Sequence, residues 1–424
     1  MKWKQMTFIK KLTDLLFLFI LCLIVLCFYS YLIINGQKDE SILENKSLQK
    51  IPTFHLNTFI DGTYQTALEN SIVDQMPYSE EIKGYLTKTK ASTINQWQTN
   101  LLTLFHTQEK EEASTEETNT QEESVEEVRN IKYIPISNNV YHYGDSEYMV
   151  FKYRQLDKYK SDIDEMARVY NKAFENIESY FYFVNQSKSI NFNTVSEKEN
   201  DFLTYIKQVF HFNGITGLKI SSYEQYMDYF YETDHHWNYK GSYQAYVDII
   251  HMMLPHDKVL TPIATKTFDV YYYGSNARTT SIYTNKEKFT VYQFDVPEFE
   301  TQINGQYATY GNEKNYFNGK YSTTEGYNHY RAFYGGDFAE VVYDFHQPEK
   351  ENLLIIAPSY SNANNKLIAS HFNKTYVIDL RHYENEFGKP FDPQQYCQDN
   401  NIDKFLLMIS VDHLTNGNFM LEVE

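Results

Sequence analysis

Cysteine is scarce in this chain, three residues among 424. Cys22 and Cys27 fall inside an apolar run, so Cys397 alone is left for everything after it and no internal disulfide can brace the fold. Burial of a core must do that instead. Positive charge is also short, 38 Lys and Arg against 56 Asp and Glu, for a net charge of −18. Such a surface repels phosphate backbones and makes nucleic acid a poor partner. No internal repeat is visible. Residues 15–34 carry no charge at all. At helical rise they reach about 30 Å, enough to cross a hydrocarbon core. Lys2, Lys4, Lys10 and Lys11 precede the run, which places residues 1–14 in the cytoplasm and the remainder outside the cell membrane. No small-x-small site follows it, and no small residue precedes Cys22 or Cys27, so the run reads as an uncleaved single-pass signal-anchor.

Aromatic residues are plentiful, with 39 Tyr and 29 Phe. Two readings stand: ordinary core, or rings that stack on the weakly apolar C–H faces of sugars. Residues 35–106 form a membrane-proximal helical segment. Leu68, Ile72 and Met76, then Ile82, Tyr85, Leu86, Ile94 and Trp97, recur at helical spacing on either side of Pro77, which predicts two helices. Residues 107–128 hold nine Glu and no aromatic, and their mutual repulsion predicts a disordered linker or insertion.

The principal domain spans 129–424. Residues 134–152 alternate like strands, and 156–183 read as one long amphipathic helix bearing Tyr159, Ile163, Met166, Tyr170, Phe174, Ile177 and Phe181. Helices are expected over 202–210, 223–231 and 242–253, and a β-rich region over 260–345. The runs 352–357, 374–379 and 404–409 each hold a short stretch of consecutive apolar residues, as in strands buried on both faces, with a helix over 362–372 between the first two. Buried strand, helix, buried strand is the pattern of a parallel α/β sheet.

The densest chemistry lies at Thr233-Asp234-His235-His236-Trp237. An Asp before a helix can cap it, or can hold an imidazole in one tautomer for proton transfer. Reactive groups in α/β sheets gather at the carboxyl ends of strands, and 352–357 ends in Ala357-Pro358-Ser359-Tyr360-Ser361. Ser359 as nucleophile, His236 as base and Asp234 as its orienter would make a Ser-His-Asp device in the chain order Asp, His, Ser. Gly144-Asp145-Ser146 imitates a serine block but precedes a strand-like run rather than a helix. No cofactor and no metal site is indicated; a zinc site from His235 and His236 lacks a third ligand.

The block TDHHWNYKGSYQAY resembles the DHHW family of SGNH-hydrolase-like extracellular proteins, relatives of the alginate O-acetylation proteins. NLLIIAPSYSNANNKLIASHF, YVIDLRHY, FYGGDF at 333–338 and LENSIVDQMPYSEEIK at 68–83 extend the likeness, over residues 65–106 and 129–424. It implies an SGNH-hydrolase-like parallel sheet flanked by helices, here preceded by one transmembrane helix. It also implies Ser359, His236 and Asp234 as the catalytic residues, with Gly335 or Gly336 offering a backbone N–H to an oxyanion. Arg381 would contact substrate, and Trp237 is either a core residue or a sugar platform. Where the family has Gly-Asp or Gly-Thr before the serine, this chain has Ala357-Pro358, which lacks one backbone donor.

The resulting expectation is a membrane-anchored extracellular O-acyltransferase, with acetyl as the group, or an esterase, acting on a cell-envelope polysaccharide. A membrane-bound O-acyltransferase partner would supply the acyl group. The alternative is a catalytically degenerate glycan-binding or assembly component.

Overall fold

The computed structural model describes residues 132–421 apart from 138, 194–199 and 281, and separate stretches between residues 19 and 76. The chain divides into two compact units at residue 103. In the first, residues 26–35 are helical, Glu40–Ser41 pairs with Lys46–Ser47, and helices cover Leu56–Ile60 and Thr63–Gln75. The helix expected around Leu68 and Ile72 is therefore present. Its expected successor beyond Pro77 and the acidic tract 107–128 lie outside the described residues, as does part of the 15–34 run. Among the described residues no helix is long and apolar enough to cross a membrane.

The second unit opens with a three-stranded antiparallel sheet, β1 (Tyr133–Ser137), β2 (Val140–Tyr143) and β3 (Met149–Phe151). Helix α1 (Lys160–Ala173) follows, and then strand β4 (Glu178–Val184). The single helix expected over 156–183 is thus two elements. From Glu178 onward the residues Glu-Ser-Tyr-Phe-Tyr-Phe-Val are buried at every position but the first, so a helical period fits them only because any period would. Next come α2 (Asp201–Val209), β5 (Gly214–Gly217), α3 (Tyr223–Tyr229) and α4 (Tyr239–Met253).

The region expected to be β-rich is mixed. It holds strands β6 (Ala264–Tyr271), β7 (Lys288–Gln293), β8 (Glu300–Ile303), β9 (Gln306–Tyr307) and β10 (Glu340–Asp344), interleaved with helices α5 (Ser275–Thr280), α6 (Glu313–Phe317) and α7 (His329–Tyr334). The chain closes with β11 (Leu353–Ile356), a 3-10 turn at Ser359–Ala363, α8 (Asn365–Ala369), β12 (Lys374–Ile378), α9 (Leu380–Phe387), α10 (Pro393–Asp399), β13 (Lys404–Ser410) and α11 (Val411–Thr415).

One eight-stranded sheet organises these elements in the order β9-β8-β10-β12-β11-β13-β4-β5. The five strands from β12 to β5 are mutually parallel, and β10, β8 and β9 extend them antiparallel. Alternate residues of the central strands feed two cores, as the period of a strand buried on both faces requires. Tyr180, Tyr182, Leu353, Ile355, Leu406 and Met408 meet α4 and α8 on one face. Phe181, Phe183, Leu354, Ile356, Phe405 and Leu407 meet α1 and α2 on the other. A third cluster, with Phe268, Tyr272 and Phe289 at its centre, joins the separate β6–β7 pair to α6 and α7. That cluster matters because it fixes the segment 272–275 beside Asp234.

Candidate active site

Residues 233–238 bridge α3 and α4, and the short β-bridge between Phe230 and Trp237 closes the loop. Helix α4 is capped by Asn238, whose side chain accepts from the N–H groups of Lys240 and Gly241 at 2.9 and 3.2 Å. Asp234 is therefore released from the capping role open to it in the sequence. Its carboxylate, 1% exposed, instead accepts from the His235 N–H at 2.7 Å, the Ser275 hydroxyl at 2.6 Å and the Tyr272 hydroxyl. Gly274 makes this approach possible, since a Cβ there would lie 2.2 Å from the Asp234 Cβ.

His236 lies between that carboxylate and a hydroxyl. Its Nδ1 is 3.1 Å from Asp234 Oδ1, and its Nε2 is 2.8 Å from Ser359 Oγ. Ser359 starts the 3-10 turn after β11, at the carboxyl edge of the sheet, and comes from a position 123 residues later in the chain. Burial raises the Asp234 carboxyl, but the charge and N–H groups of His236 and His235 outweigh it and hold it well below the usual carboxylate range. Burial, aided by His235, pushes the His236 imidazole down to about 4 against the pull of Asp234. An ionised Asp234 beside a neutral His236 selects one tautomer: Nδ1–H donates to the carboxylate and Nε2 accepts from the serine hydroxyl. The arrangement can move a proton from Ser359 Oγ to His236.

Three residues that the sequence did not single out complete this geometry. Tyr330 stacks on the His236 ring at a centroid distance of 4.2 Å, and its hydroxyl donates to the Ser359 carbonyl at 3.1 Å. Tyr272 holds the other carboxylate oxygen of Asp234, and Ser275 donates to the oxygen that His236 faces. No local signal marks any of them, because each reaches the site from a distant element.

Other expected residues lie elsewhere or are already committed. Trp237 is completely buried, packed edge-on to Tyr360 and near Tyr182, so it is a core residue and not a sugar platform. Arg381 donates from Nε to Asp379 at 2.9 Å and from Nη2 to Asp337 at 3.0 Å, a strand-end ion pair rather than a free substrate contact. Asp337, from the FYGGDF stretch, is in turn bound by the Asn362 side chain at 3.2 Å, and its charge is felt by His236. Gly335 ends α7 with φ of +105°, and its N–H is spent on the Arg331 carbonyl at 2.9 Å, which removes it as an oxyanion donor. The N–H groups of Gly336 and Ser359 have no hydrogen-bond acceptor among the described residues. Ser146 sits in the β2–β3 turn against the Tyr223 hydroxyl at 2.7 Å, remote in role from Ser359.

Among the described residues, two clusters have the donor types of a metal site: Asp234 with His235 and His236, and Asp337 with Asp379 and His382. Both are internally satisfied. His236 uses both ring nitrogens on protein groups, and the Arg381 guanidinium is already paired with both carboxylates of the second cluster.

No protein-family model and no curated protein matches the sequence. Solved structures similar to the chain include a DHHW family protein from Eubacterium siraeum, at 17% identity over 66% of this chain and 93% of that one, with a TM-score of 0.49. Bacillus cereus PatB1 with a sulfonyl adduct is similar at 18% identity over 67% and 97%, TM-score 0.49. The O-acetyltransferase domain of Pseudomonas putida AlgJ is similar at 8% identity over 69% and 94%, TM-score 0.35. These similar structures include the DHHW and alginate O-acetylation groups named in the sequence reading.

Proposed function

We propose that the protein is an O-acyltransferase, or an esterase, that handles acyl groups on a cell-envelope polysaccharide through Asp234, His236 and Ser359. The observation that carries this reading is the unbroken hydrogen-bonded line from Asp234 Oδ1 through His236 to Ser359 Oγ, with spans of 3.1 and 2.8 Å. Ser359 Oγ attacks the acyl carbonyl carbon while His236 Nε2 takes the hydroxyl proton. The oxyanion so formed is met by backbone N–H groups, for which Ser359 and Gly336 are available. Collapse expels the donor's alkoxide, which takes the proton from His236. A sugar hydroxyl, or water in the esterase version, then attacks the acyl-enzyme; His236 accepts its proton and returns it to Ser359 Oγ. No cofactor is needed in this sequence of steps.

The apolar run 15–34 would anchor the protein in the cell membrane with residues 1–14 inside. Acyl donors made in the cytoplasm would then need a membrane-bound O-acyltransferase partner to reach Ser359. One observation favours a catalytically silent glycan-binding component instead: Pro358 removes a backbone donor just before the nucleophile. A single experiment separates the two. The full chain is incubated with an activated acetyl ester and its intact mass is compared with those of Ser359→Ala and His236→Ala. A one-acetyl adduct confined to the parent supports acyl transfer, and the absence of adduct and of ester turnover in folded parent protein rejects it.

A further inference from the structure

Beside the candidate active site, a cavity of about 80 Å³ opens to solvent between the start of α4, strand β7, helix α7 and the segment that runs on from Ser359 into α8. Half-buried rings of Tyr239, Tyr243, Tyr292 and Phe294 form one wall, packed edge-to-face at 4.7 Å between Tyr239 and Tyr292 and 5.6 Å between Tyr243 and Tyr292. Tyr334 and Tyr343 also line the cavity. Tyr343 is 2% exposed, yet neither its hydroxyl nor that of Tyr334 has a hydrogen-bond partner among the described residues. The Glu313–Lys366 ion pair also lines the cavity, and the Glu313 charge adds to burial in raising both phenols.

We propose that this cavity is a subsite for one neutral pyranose ring, a hexose or N-acetylhexosamine of the acceptor glycan. The reading of its ligand as acceptor rests on the proposed function; the binding itself does not. The chemistry excludes the rivals. An acyl chain would leave two phenol hydroxyls and an ion pair unsatisfied, at about 1–3 kcal/mol for each buried polar group. A polyanionic polymer would meet the field of a protein of net charge −18. A neutral sugar ring offers C–H faces to the aromatic wall and hydroxyls to Tyr334, Tyr343 and the Glu313–Lys366 pair. Its placement suits an acceptor: Asn362, Ala363 and Lys366 of the lining lie on the segment that begins at Ser359, and Tyr334 lies one turn beyond Tyr330, whose hydroxyl holds the Ser359 carbonyl.

The test is a calorimetric titration of the full chain with three tetrasaccharides: N-acetylglucosamine, glucose, and an anionic uronic acid. Saturable binding of a neutral tetramer, stronger than that of the anionic one, is expected. The Tyr334→Phe/Tyr343→Phe double variant keeps the rings and removes the hydroxyls. It should weaken binding at least about fivefold for each hydrogen bond lost, the equivalent of about 1 kcal/mol apiece. Ser359→Ala should bind as the parent does, so that loss of acyl chemistry and loss of the subsite are read separately. Three results would overturn the proposal: no neutral tetramer bound at about 10 mM, a limit of weak affinity; preference for the anionic tetramer; or unchanged binding by a double variant whose melting temperature matches the parent's.

Discussion

The imidazole of His235 lies against that of His236, with ring centroids 3.9 Å apart and 36° between their planes. A positive charge on His235 disfavours a second one on His236, which helps, after burial, to push the latter down to about 4. A base must be unprotonated to act, so the acidic limb of the rate–pH profile should fall near that value. In His235→Asn the charge is gone, His236 becomes easier to protonate, and the limb should move to higher pH. Hydrolysis of an activated acetyl ester between pH 3.5 and 8 checks this, and a limb that stays in place or moves downward contradicts it.

Acid should destabilise the fold earlier than its carboxylates alone would require. Burial pushes His236 and His329 down to about 4 and His413 to about 3, the last two helped by Arg278 and Arg381 respectively. Each imidazole is neutral when folded and takes a proton more readily when unfolded. Stability from this source is complete above an ordinary histidine pKa near 6.5 and is lost as pH falls from there toward 4, by up to about 3 kcal/mol for each group. Urea midpoints should therefore drop between pH 7.5 and pH 5. Equal midpoints would show that these imidazoles are protonated in the folded state.

Gly274→Ala places a methyl group 2.2 Å from the Asp234 Cβ and 2.5 Å from the Thr233 carbonyl oxygen. The loop 233–236 must shift to admit it, at about 1–3 kcal/mol of stability. Misplacement of the base by about 1 Å should slow acyl-adduct formation about 100-fold. Stopped-flow mass measurement beside a thermal melt tests both, and a normal rate would remove the loop's position from the account.

Tyr272→Phe deletes one donor to the Asp234 carboxylate and leaves the His236 contact on the other oxygen. A hydrogen bond to a buried charge is worth about 1.5–3 kcal/mol, so the urea midpoint should fall accordingly. Adduct formation should fall less than in Ser359→Ala. A variant as stable as the parent would mean that Asp234 is satisfied without this phenol.

The strands around residues 353, 375 and 405 were legible because each centres on consecutive apolar residues, and a run of that kind is what burial on two faces demands. The same property hid β4: a strand buried at every position but its first carries no period of its own, and the helix before it lent it one. Asp234, His236 and Ser359 stood out by residue type and by their places at a loop and a strand end. Tyr272, Ser275 and Tyr330 did not, because a tyrosine or serine that touches a carboxylate or an imidazole looks in sequence like any other. For Arg381 and Trp237 the sequence left two readings open for the converse reason. Both sit next to chemistry in the chain while their side chains turn to Asp379 and Asp337, or to the core.

The clamp on Asp234 arrives from Tyr272 and Ser275, beyond the end of α4, and the nucleophile arrives later still, after β11. A chain still being synthesised therefore carries its base with an unsecured partner and no serine within reach. The proposed reactivity would therefore switch on only with the finished topology.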